Sequence, residues 1–231
     1  MLTAKTGRNS QDKPARTRER YNRDDNVIAA AISVMSEKGY ASTSIQEVAE
    51  RVGVLKGSLY HYFSSKEELL FRILEESHEQ SREIHRAVIE LDLPPVETLL
   101  LYVRRLSEWY LANIERANIF FTEMKHLSGE RHVAAAGWGR AFERDISEQV
   151  IAGQADGSIR DDIDQRLLTR FIIGAVNNVR FWPSRRSSHK FDDDSIVAAL
   201  VALIGDSIMP HSYARGPLSP KSASIAFSDP T

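Results

Sequence analysis

Apolar side chains recur along most of this chain with the spacing of one face of an α-helix. In one short segment they stand at Ile45, Val48, Ala49 and Val52, the i, i+3, i+4, i+7 pattern of a helix that buries one side. Further stripes with this period occupy residues 28–35, 70–84, 96–114, 138–150, 168–179 and 196–208. No segment alternates apolar and polar residues as a half-buried strand does. The pattern predicts an all-α protein.

Glycine and proline divide these stripes into separate helices. The first helix is predicted from Asp24 to Lys38, and Gly39 ends it because glycine readily adopts the left-handed conformation that stops a helix. Prolines at 94–95, 183 and 210 and the turn at 156–158 break the chain further along. The other helices are predicted at about 45–52, 55–62, 66–91, 96–114, 119–126, 130–155, 164–181 and from 192–194 to 209.

Residues 42–70 have the organisation of two short helices joined by a tight turn. Thr43 or Ser44 can cap the first, because Gln46 and Glu47 follow three residues later. Gly53 supplies the backbone freedom of the turn. Two short helices joined by a glycine-containing turn are typical of a helix-turn-helix, whose second helix enters the DNA major groove.

The residue types on that second helix suit contact with DNA. Lys56 can reach a guanine edge or a phosphate, Gly57 lets the backbone approach, and Ser58 can bond either base or backbone. Tyrosine hydroxyls can bond phosphate oxygens, and Lys66 with the N–H groups of the next helix start can form an anion site. The predicted DNA-binding residues are Thr43, Ser44, Lys56, Gly57, Ser58, Tyr60, His61, Tyr62 and Lys66.

Charge and composition add limited information. The 231 residues carry a net charge of −2, which by itself does not indicate a nucleic-acid binder, but residues 1–23 hold seven basic and two acidic side chains. That block is either a flexible DNA-contacting arm or a solvated tail. Cysteine is absent, which excludes disulfides and thiolate metal sites. No stretch has the length and apolarity of a membrane helix, and the charged N-terminus lacks the apolar core of a signal peptide, so we expect a cytoplasmic protein.

The sequence resembles the tetracycline-repressor (TetR) family. The resemblance lies in GVLKGSLYHYF at 53–63 and SKEEL at 65–69, preceded at the expected spacing by GY at 39–40 and TSI at 43–45. One departure is Leu55, where the family usually has a serine or threonine that caps the recognition helix. The resemblance implies a small three-helix DNA-binding domain, at 24–72, and a larger helical ligand-binding and dimerisation domain, at 73–209. The polar segments without helical periodicity at either end predict a flexible basic arm at 1–23 and a disordered tail at 210–231.

The family resemblance also implies a homodimer formed by the last two helices, binding a palindromic double-stranded operator as a repressor that a small-molecule effector releases. The middle helices hold many large aromatic residues, which either pack the core or line a pocket for that effector. Amides within an apolar helix need partners, which a ligand or the second subunit can supply. The predicted ligand-binding residues are Tyr102, Arg105, Trp109, Phe120, Phe121, Met124, Trp138, Phe142, Asn177 and Asn178.

A second resemblance concerns the effector. DGSIR at 156–160, RFI at 170–172 and VRFWP at 179–183 are similar to TetR regulators of lipid and steroid breakdown, some of which respond to acyl-coenzyme A thioesters. On this resemblance the effector joins an apolar body to an anionic nucleotide head. Its phosphates would then meet Arg104, Arg105, Arg180, Arg185 and Arg186.

Enzymes are the main alternative class, and the sequence does not favour them. The chain has no Gly-x-Ser-x-Gly elbow and no phosphate-loop lysine. His78 and His85, like His126 and His132, lack the i, i+4 spacing of a helical zinc site. We therefore expect no catalytic residues, no metal and no cofactor. A helical adaptor that binds only proteins remains the alternative, and it would bind no operator.

Overall fold

The computed structural model describes residues 13–60, 62–182 and 191–210, with side chains from Asp24 onward. Within these residues the chain is helical and contains no strand, which confirms the predicted all-α fold. The helices are α1 Lys13–Ser42, α2 Ile45–Val52, α3 Lys56–Leu59, α4 Lys66–Ile89, α5 Pro95–Ala112, α6 Ile114–Glu123, α7 Gly129–Asp156, α8 Gln165–Asn178 and α9 Asp193–Ile208. Short 3₁₀ turns follow α6 and α8 at Met124–His126 and Val179–Phe181.

The first helix begins earlier than the sequence pattern predicts. It starts at Lys13 instead of Asp24, so part of the basic block expected to be an arm without structure is helical. Alanine, arginine and glutamate in this stretch are good helix formers, and Pro14 is tolerated in a first turn. Helical geometry is interrupted at Gly39 (φ 80°, ψ 160°), at the position where the helix was predicted to end. Of the tail predicted at 210–231, residues 211–231 lie outside the described residues.

The recognition helix is shorter than predicted. It spans only Lys56–Leu59, whereas the pattern suggested residues 55–62. Leu55 is the N-cap residue and makes no side-chain capping hydrogen bond, and Tyr60 is already the C-cap residue. With no polar cap at its start, the segment forms a single regular turn, and the amides of Tyr62 and Phe63 close back onto the Leu59 carbonyl at 2.9 and 3.0 Å.

Two hydrophobic cores organise the molecule. The N-terminal core is formed by α1, α2, α3 and the first half of α4, and it is completed by Ile119, Leu127 and Ala135 from further along the chain. The C-terminal core is formed by α5, α7, α8 and α9 with Val88 near the end of α4. Helix α4 therefore contributes to both cores, and α6 and α7 each contribute a buried residue to the N-terminal core.

Candidate DNA-binding surface and effector cavity

The start of α2 is fixed by a reciprocal capping box. The Glu47 amide donates to Ser44 Oγ at 3.2 Å, and the Ser44 amide donates to Glu47 Oε2 at 3.0 Å. Thr43 is 3% exposed and donates its hydroxyl to the Gly39 carbonyl at 2.9 Å. Thr43 and Ser44, both predicted to contact DNA, thus have their hydroxyl groups engaged in local bonds that position α2.

Ion pairs join α2 to α1. Arg51 donates to Ser33 Oγ at 2.6 Å and to Glu37 Oε2 at 3.1 Å, and Lys38 bonds to Glu47. These cations hold the pKa of both carboxyls below the usual range: the hydrogen bond from Arg51 acts mainly on Glu37, and that from Lys38 on Glu47. At the other end of α2, Gly53 adopts φ 74°, the left-handed conformation that sends the chain into the turn.

The recognition helix presents part of the predicted set to solvent. Leu59 is 2% exposed and anchors the helix to the N-terminal core, while Lys56, Gly57 and Tyr60 are exposed and Ser58 is partly so. Tyr62 packs against the core. His61, which was also predicted to contact DNA, lies outside the described residues. The structure therefore brings Lys56, Gly57, Ser58 and Tyr60 onto one short element that can approach a duplex.

Lys66 is directed into the protein. Its ammonium group donates to the carbonyls of Tyr40, Ala41 and Thr43 at 3.0, 3.2 and 2.9 Å, and it lies 4.4 Å from the centre of the Tyr40 ring. An ammonium group has three N–H donors, so these carbonyls occupy all of them. In this geometry Lys66 ties the end of α1 to the start of α4, and the phosphate contact predicted for it stays a prediction.

A cavity of about 340 Å³ lies between the two cores. One wall belongs to residues that pack against the N-terminal core: Phe120, Met124 and Trp138. The opposite wall belongs to residues of the C-terminal core or packed against it: Trp109, Tyr110, Phe121, Phe142 and Ile173. The remaining lining residues are Ser77, His78, Ser81, Gly139, Glu143 and Asn177. The cavity is therefore lined by residues that pack against both cores.

Seven of the ten predicted ligand-binding residues line this cavity: Trp109, Phe120, Phe121, Met124, Trp138, Phe142 and Asn177. The other three do not. Tyr102 is buried in the C-terminal core, and this burial raises the pKa of its hydroxyl to about 12. Arg105 is exposed and pairs with Glu108 at 3.1 Å, and the exposed Asn178 amide donates to the Gly174 carbonyl at 2.7 Å.

The contribution of α4 to the cavity was missed by sequence reasoning. Ser77, His78 and Ser81 all come from this helix. A signal was present: the apolar stripe that includes Leu70, Ile73 and Leu74 resumes at Ile84 and Val88, with serines at the intervening core-facing positions. Small polar residues in the middle of such a stripe indicate a gap in the packing.

The cavity interior is uncharged at neutral pH apart from one carboxylate. His78 stacks on Trp138 with ring centroids 5.0 Å apart, and burial lowers the pKa of its imidazole. Glu143 is exposed, and no lysine or arginine is among the described lining residues. Asn177 Oδ1 is buried with no hydrogen-bond partner within the described part of the chain. The site therefore suits an apolar ligand that brings a hydrogen-bond donor.

Arg180 does not line the cavity itself but contacts two residues that do, Phe121 and Asn177. Its guanidinium lies 4.2 Å from the centres of the Phe121 and Phe181 rings, and its Nε donates to Asn118 Oδ1 at 3.0 Å. It also donates to the Asn177 carbonyl. Of the other arginines expected to meet effector phosphates, Arg104 and Arg105 lie on α5 outside the lining set, and Arg185 and Arg186 lie outside the described residues.

Other possible sites are less suited to an apolar ligand. An open groove of about 1020 Å³ lies between α1, α4 and the α5–α6 junction, and half of the residues that line it are charged. No group of three or more potential metal ligands occurs in residues 13–60, 62–182 and 191–210. No helix in these ranges combines the length and apolarity needed to span a bilayer.

Comparison with known proteins matches both halves of the chain. Residues 27–73 match the family model for bacterial regulatory proteins of the tetR family, and residues 92–188 match the tetracyclin repressor-like C-terminal domain. The chain is 31% identical over 147 residues to the HTH-type transcriptional repressor KstR2 of Rhodococcus jostii (strain RHA1), covering 63% of this chain and 72% of that protein.

Two solved structures share the fold. The ketosteroid transcriptional regulator KstR2 of Mycobacterium tuberculosis aligns with a TM-score of 0.74 at 22% identity, over 82% of this chain and 96% of that one. AibR in complex with isovaleryl coenzyme A and operator DNA aligns with a TM-score of 0.71 at 22% identity, over 79% and 97%.

Proposed function

The chain belongs to the tetR family of bacterial regulatory proteins, and on that basis we propose that it is a dimeric repressor released from a palindromic operator by a small hydrophobic effector. Members of this family are transcriptional regulators, so the protein is a DNA-binding regulator and not an enzyme. The effector site we propose is the cavity between the two cores.

One observation supports this proposal above the others: α4 serves both sites. Its first turns place Leu69, Leu70, Ile73 and Leu74 in the N-terminal core, each with no exposed surface. The following turns place Ser77, His78 and Ser81 in the cavity wall. A ligand that shifts this helix would therefore shift the recognition helix, which packs on the same core.

A second connection joins the two parts. Glu67, in the first turn of α4, accepts hydrogen bonds from the Ser128 amide at 2.9 Å and its hydroxyl at 3.0 Å. Ser128 is the N-cap residue of α7, and Trp138 and Phe142 of the same helix line the cavity. An effector that prefers one spacing of α4 and α7 lowers operator affinity by its differential affinity for the two arrangements.

For the DNA-binding surface we propose Lys56, Gly57, Ser58 and Tyr60 as the direct contacts. Thr43, Ser44, Tyr62 and Lys66 then act mainly by positioning them, since each is engaged within the fold. The basic segment at 1–23, with seven basic and two acidic side chains, is proposed to add to the attraction for DNA. We propose 24–72 as the DNA-binding domain and 73–209 as the ligand-binding and dimerisation domain, and the residues that line the cavity all belong to the second of these.

We propose that two copies pair through α8 and α9. These helices pack together, and each leaves large apolar side chains in solvent: Leu167 is 60% exposed, Phe171 48% and Leu203 58%. Contiguous exposed apolar patches mark interaction surfaces, and we propose that these side chains form one. A two-fold pair would also present two recognition helices to two half-sites, the arrangement on which specific helix-turn-helix binding depends.

We propose that the effector places an apolar group in the cavity, whose volume lies within the range of small-molecule sites. AibR, whose structure was solved with isovaleryl coenzyme A, has the same fold. An acyl-coenzyme A effector would enclose its acyl group among the aromatic residues and leave its phosphates outside, because the described lining holds no cation to receive them.

The test is a selection of bound sequences from a random duplex pool, followed by fluorescence anisotropy at several salt concentrations. We expect one palindromic site, bound by a dimer with affinity that falls steeply as salt rises. A series of acyl-coenzyme A thioesters, their free acids and neutral sterols is then added, and one class should release the duplex and raise the melting temperature. A monomer with no salt-sensitive binding would favour the adaptor alternative.

A further inference from the structure

Leu55 has the largest exposed fraction of any large apolar side chain in the described part of the chain, 81%. It is the N-cap residue of the recognition helix and makes no side-chain capping hydrogen bond there. N-cap positions favour serine, threonine, asparagine or aspartate, whose side-chain oxygens accept hydrogen bonds from the free backbone amides of the first helical turn. A leucine side chain has no oxygen and cannot accept such a hydrogen bond.

The fold does not use this side chain in packing either. Its neighbour Val54 packs against the N-terminal core, and Leu59 is buried in it, but Leu55 belongs to neither core. The exposed apolar residues of α8 and α9 lie on the surface proposed for dimerisation. Leu55 instead shares its exposed element with Lys56, Gly57 and Tyr60, which the proposed function assigns to DNA.

The chemistry of leucine restricts what it can recognise on that surface. It has no donor or acceptor, so it can form neither a phosphate contact nor a hydrogen bond to a base edge. In the major groove, the apolar group that base pairs present is the C5-methyl of thymine. Side chains at the start of a recognition helix are those that reach base edges.

We propose that Leu55 is a specificity-determining residue that contacts a thymine methyl group in each operator half-site. The inference rests on the proposed operator binding and extends it to the sequence that is read. It predicts a half-site in which one thymine is selected for its methyl group and not for its hydrogen-bonding pattern.

The experiment removes the methyl group without altering base pairing. After a bound duplex has been selected with the full chain, each thymine of the half-site is replaced in turn by deoxyuridine, and affinity is measured by anisotropy. Burial of one methyl group corresponds to roughly fourfold in affinity. Replacement in both half-sites should therefore weaken binding by the native chain by roughly fifteenfold at one symmetric position.

Leu55→Ala should bind the thymine and deoxyuridine duplexes equally at that position while keeping its response elsewhere. Leu55→Ser should behave in the same way, and because it restores a hydroxyl cap it separates the methyl contact from any effect on the helix. Leu91→Ala is the matched control, since Leu91 is 56% exposed but lies beyond α4, and it should respond like the native chain.

The possible results are distinct. A methyl effect in the native chain that disappears in both Leu55 variants supports the inference. If native chain and variants respond alike to every deoxyuridine, the inference is overturned while operator binding stands. If no duplex is selected at all, operator binding itself is overturned, and the role of Leu55 with it.

Discussion

The two ends of the molecule hold their helices together by different means. At the DNA-binding end, α2 and α3 have only eight and four residues, and their placement depends on hydrogen bonds and ion pairs: the Ser44–Glu47 box, Arg51 with Glu37, and Lys66 with three carbonyls. At the cavity end, α5 and α7 have 18 and 28 residues and pack mainly through large apolar side chains.

This difference follows from size and suits the two tasks. A four-residue helix buries too little area to fix its direction by packing alone, so directional bonds must orient it. Long helices bury enough area to tolerate an empty space between them. The orientation of the recognition helix should therefore be sensitive to single polar side chains, whereas the cavity should be sensitive to added or removed volume.

The largest effect on stability is expected from Lys66→Met. This change keeps most of the aliphatic chain but removes the ammonium group that bonds to the carbonyls of Tyr40, Ala41 and Thr43. Hydrogen bonds from a charged donor contribute roughly 1.5–3 kcal/mol, so we expect the free energy of unfolding to fall by about 2 kcal/mol. Urea unfolding measures this, and operator affinity should fall with it because α1 and α4 lose their link.

Lys56→Met is the matched control. Lys56 is exposed on the recognition helix, so its loss should weaken operator binding while the urea midpoint stays within error of the native value. If Lys66→Met also left the urea midpoint unchanged, the bonds at the base of α4 would not orient the helix-turn-helix. The role of Lys66 would then be the phosphate contact that the sequence predicted.

The sequence identified the helix-turn-helix well because its signals are local. The apolar stripe of α2, the serine–glutamate spacing at its start and Gly53 at its end all lie within ten residues of one another. Lys66 was assigned to an anion site because its actual partners are as many as 26 residues away in the chain. The length of α3 was overestimated because apolar and aromatic residues continue beyond Leu59 in turns that are no longer regular helix.

For the cavity, residue type was informative but facing direction was not. Most of the aromatic residues chosen from the sequence line it, yet Tyr102 faces the core and Asn178 faces solvent beside the lining Asn177. One position on a helix turns a side chain by about 100°, so a small difference in phase decides whether a residue lines a site. The meeting of α4, α6 and α7 depends on distant contacts that a single helical stripe does not contain.

The next effect is expected from adding volume at the cavity. Gly139 on α7 belongs to the lining, and an added side chain there meets no atom within 4 Å at its first carbon. Gly139→Leu should keep or raise the melting temperature, because glycine within a helix costs about 1 kcal/mol relative to better helix formers. Effector affinity, measured by calorimetry, should fall at least about tenfold, as expected when a side chain takes space that the ligand needs.

Gly137→Leu provides the comparison. It lies two residues earlier on the same helix, gains the same helix propensity and meets only the end of the Arg140 side chain at 3.9 Å, but it does not line the cavity. Its effector affinity should match that of the native chain. Equal losses in the two variants would mean that α7 as a whole, and not the cavity volume, governs effector binding.

The smallest effect should appear on mild acidification, which distinguishes the two ends by their titrating groups. Burial holds the pKa of His78 below its usual range, with Arg82 acting in the same direction, so the unfolded chain takes up a proton below about pH 6.5 while the folded cavity does not. Stability should thus fall as the pH drops through 6.5 toward the lower folded pKa. The carboxyls of Glu37, Glu47 and Glu67 also have a lowered pKa, but their contribution is lost only below about pH 4.5.

Between pH 6.5 and 5 the His78 contribution at the cavity end should therefore be lost while the carboxyls at the DNA-binding end keep theirs. Thermal unfolding of His78→Gln should show a shallower decline over this range than the native chain, and effector binding by the variant should depend less on pH. His132, exposed on α7 and absent from the cavity lining, is the control, and its replacement by Gln should leave the native profile unchanged. A decline that His78→Gln does not reduce would place the acid-sensitive group outside the cavity and remove this distinction between the two ends.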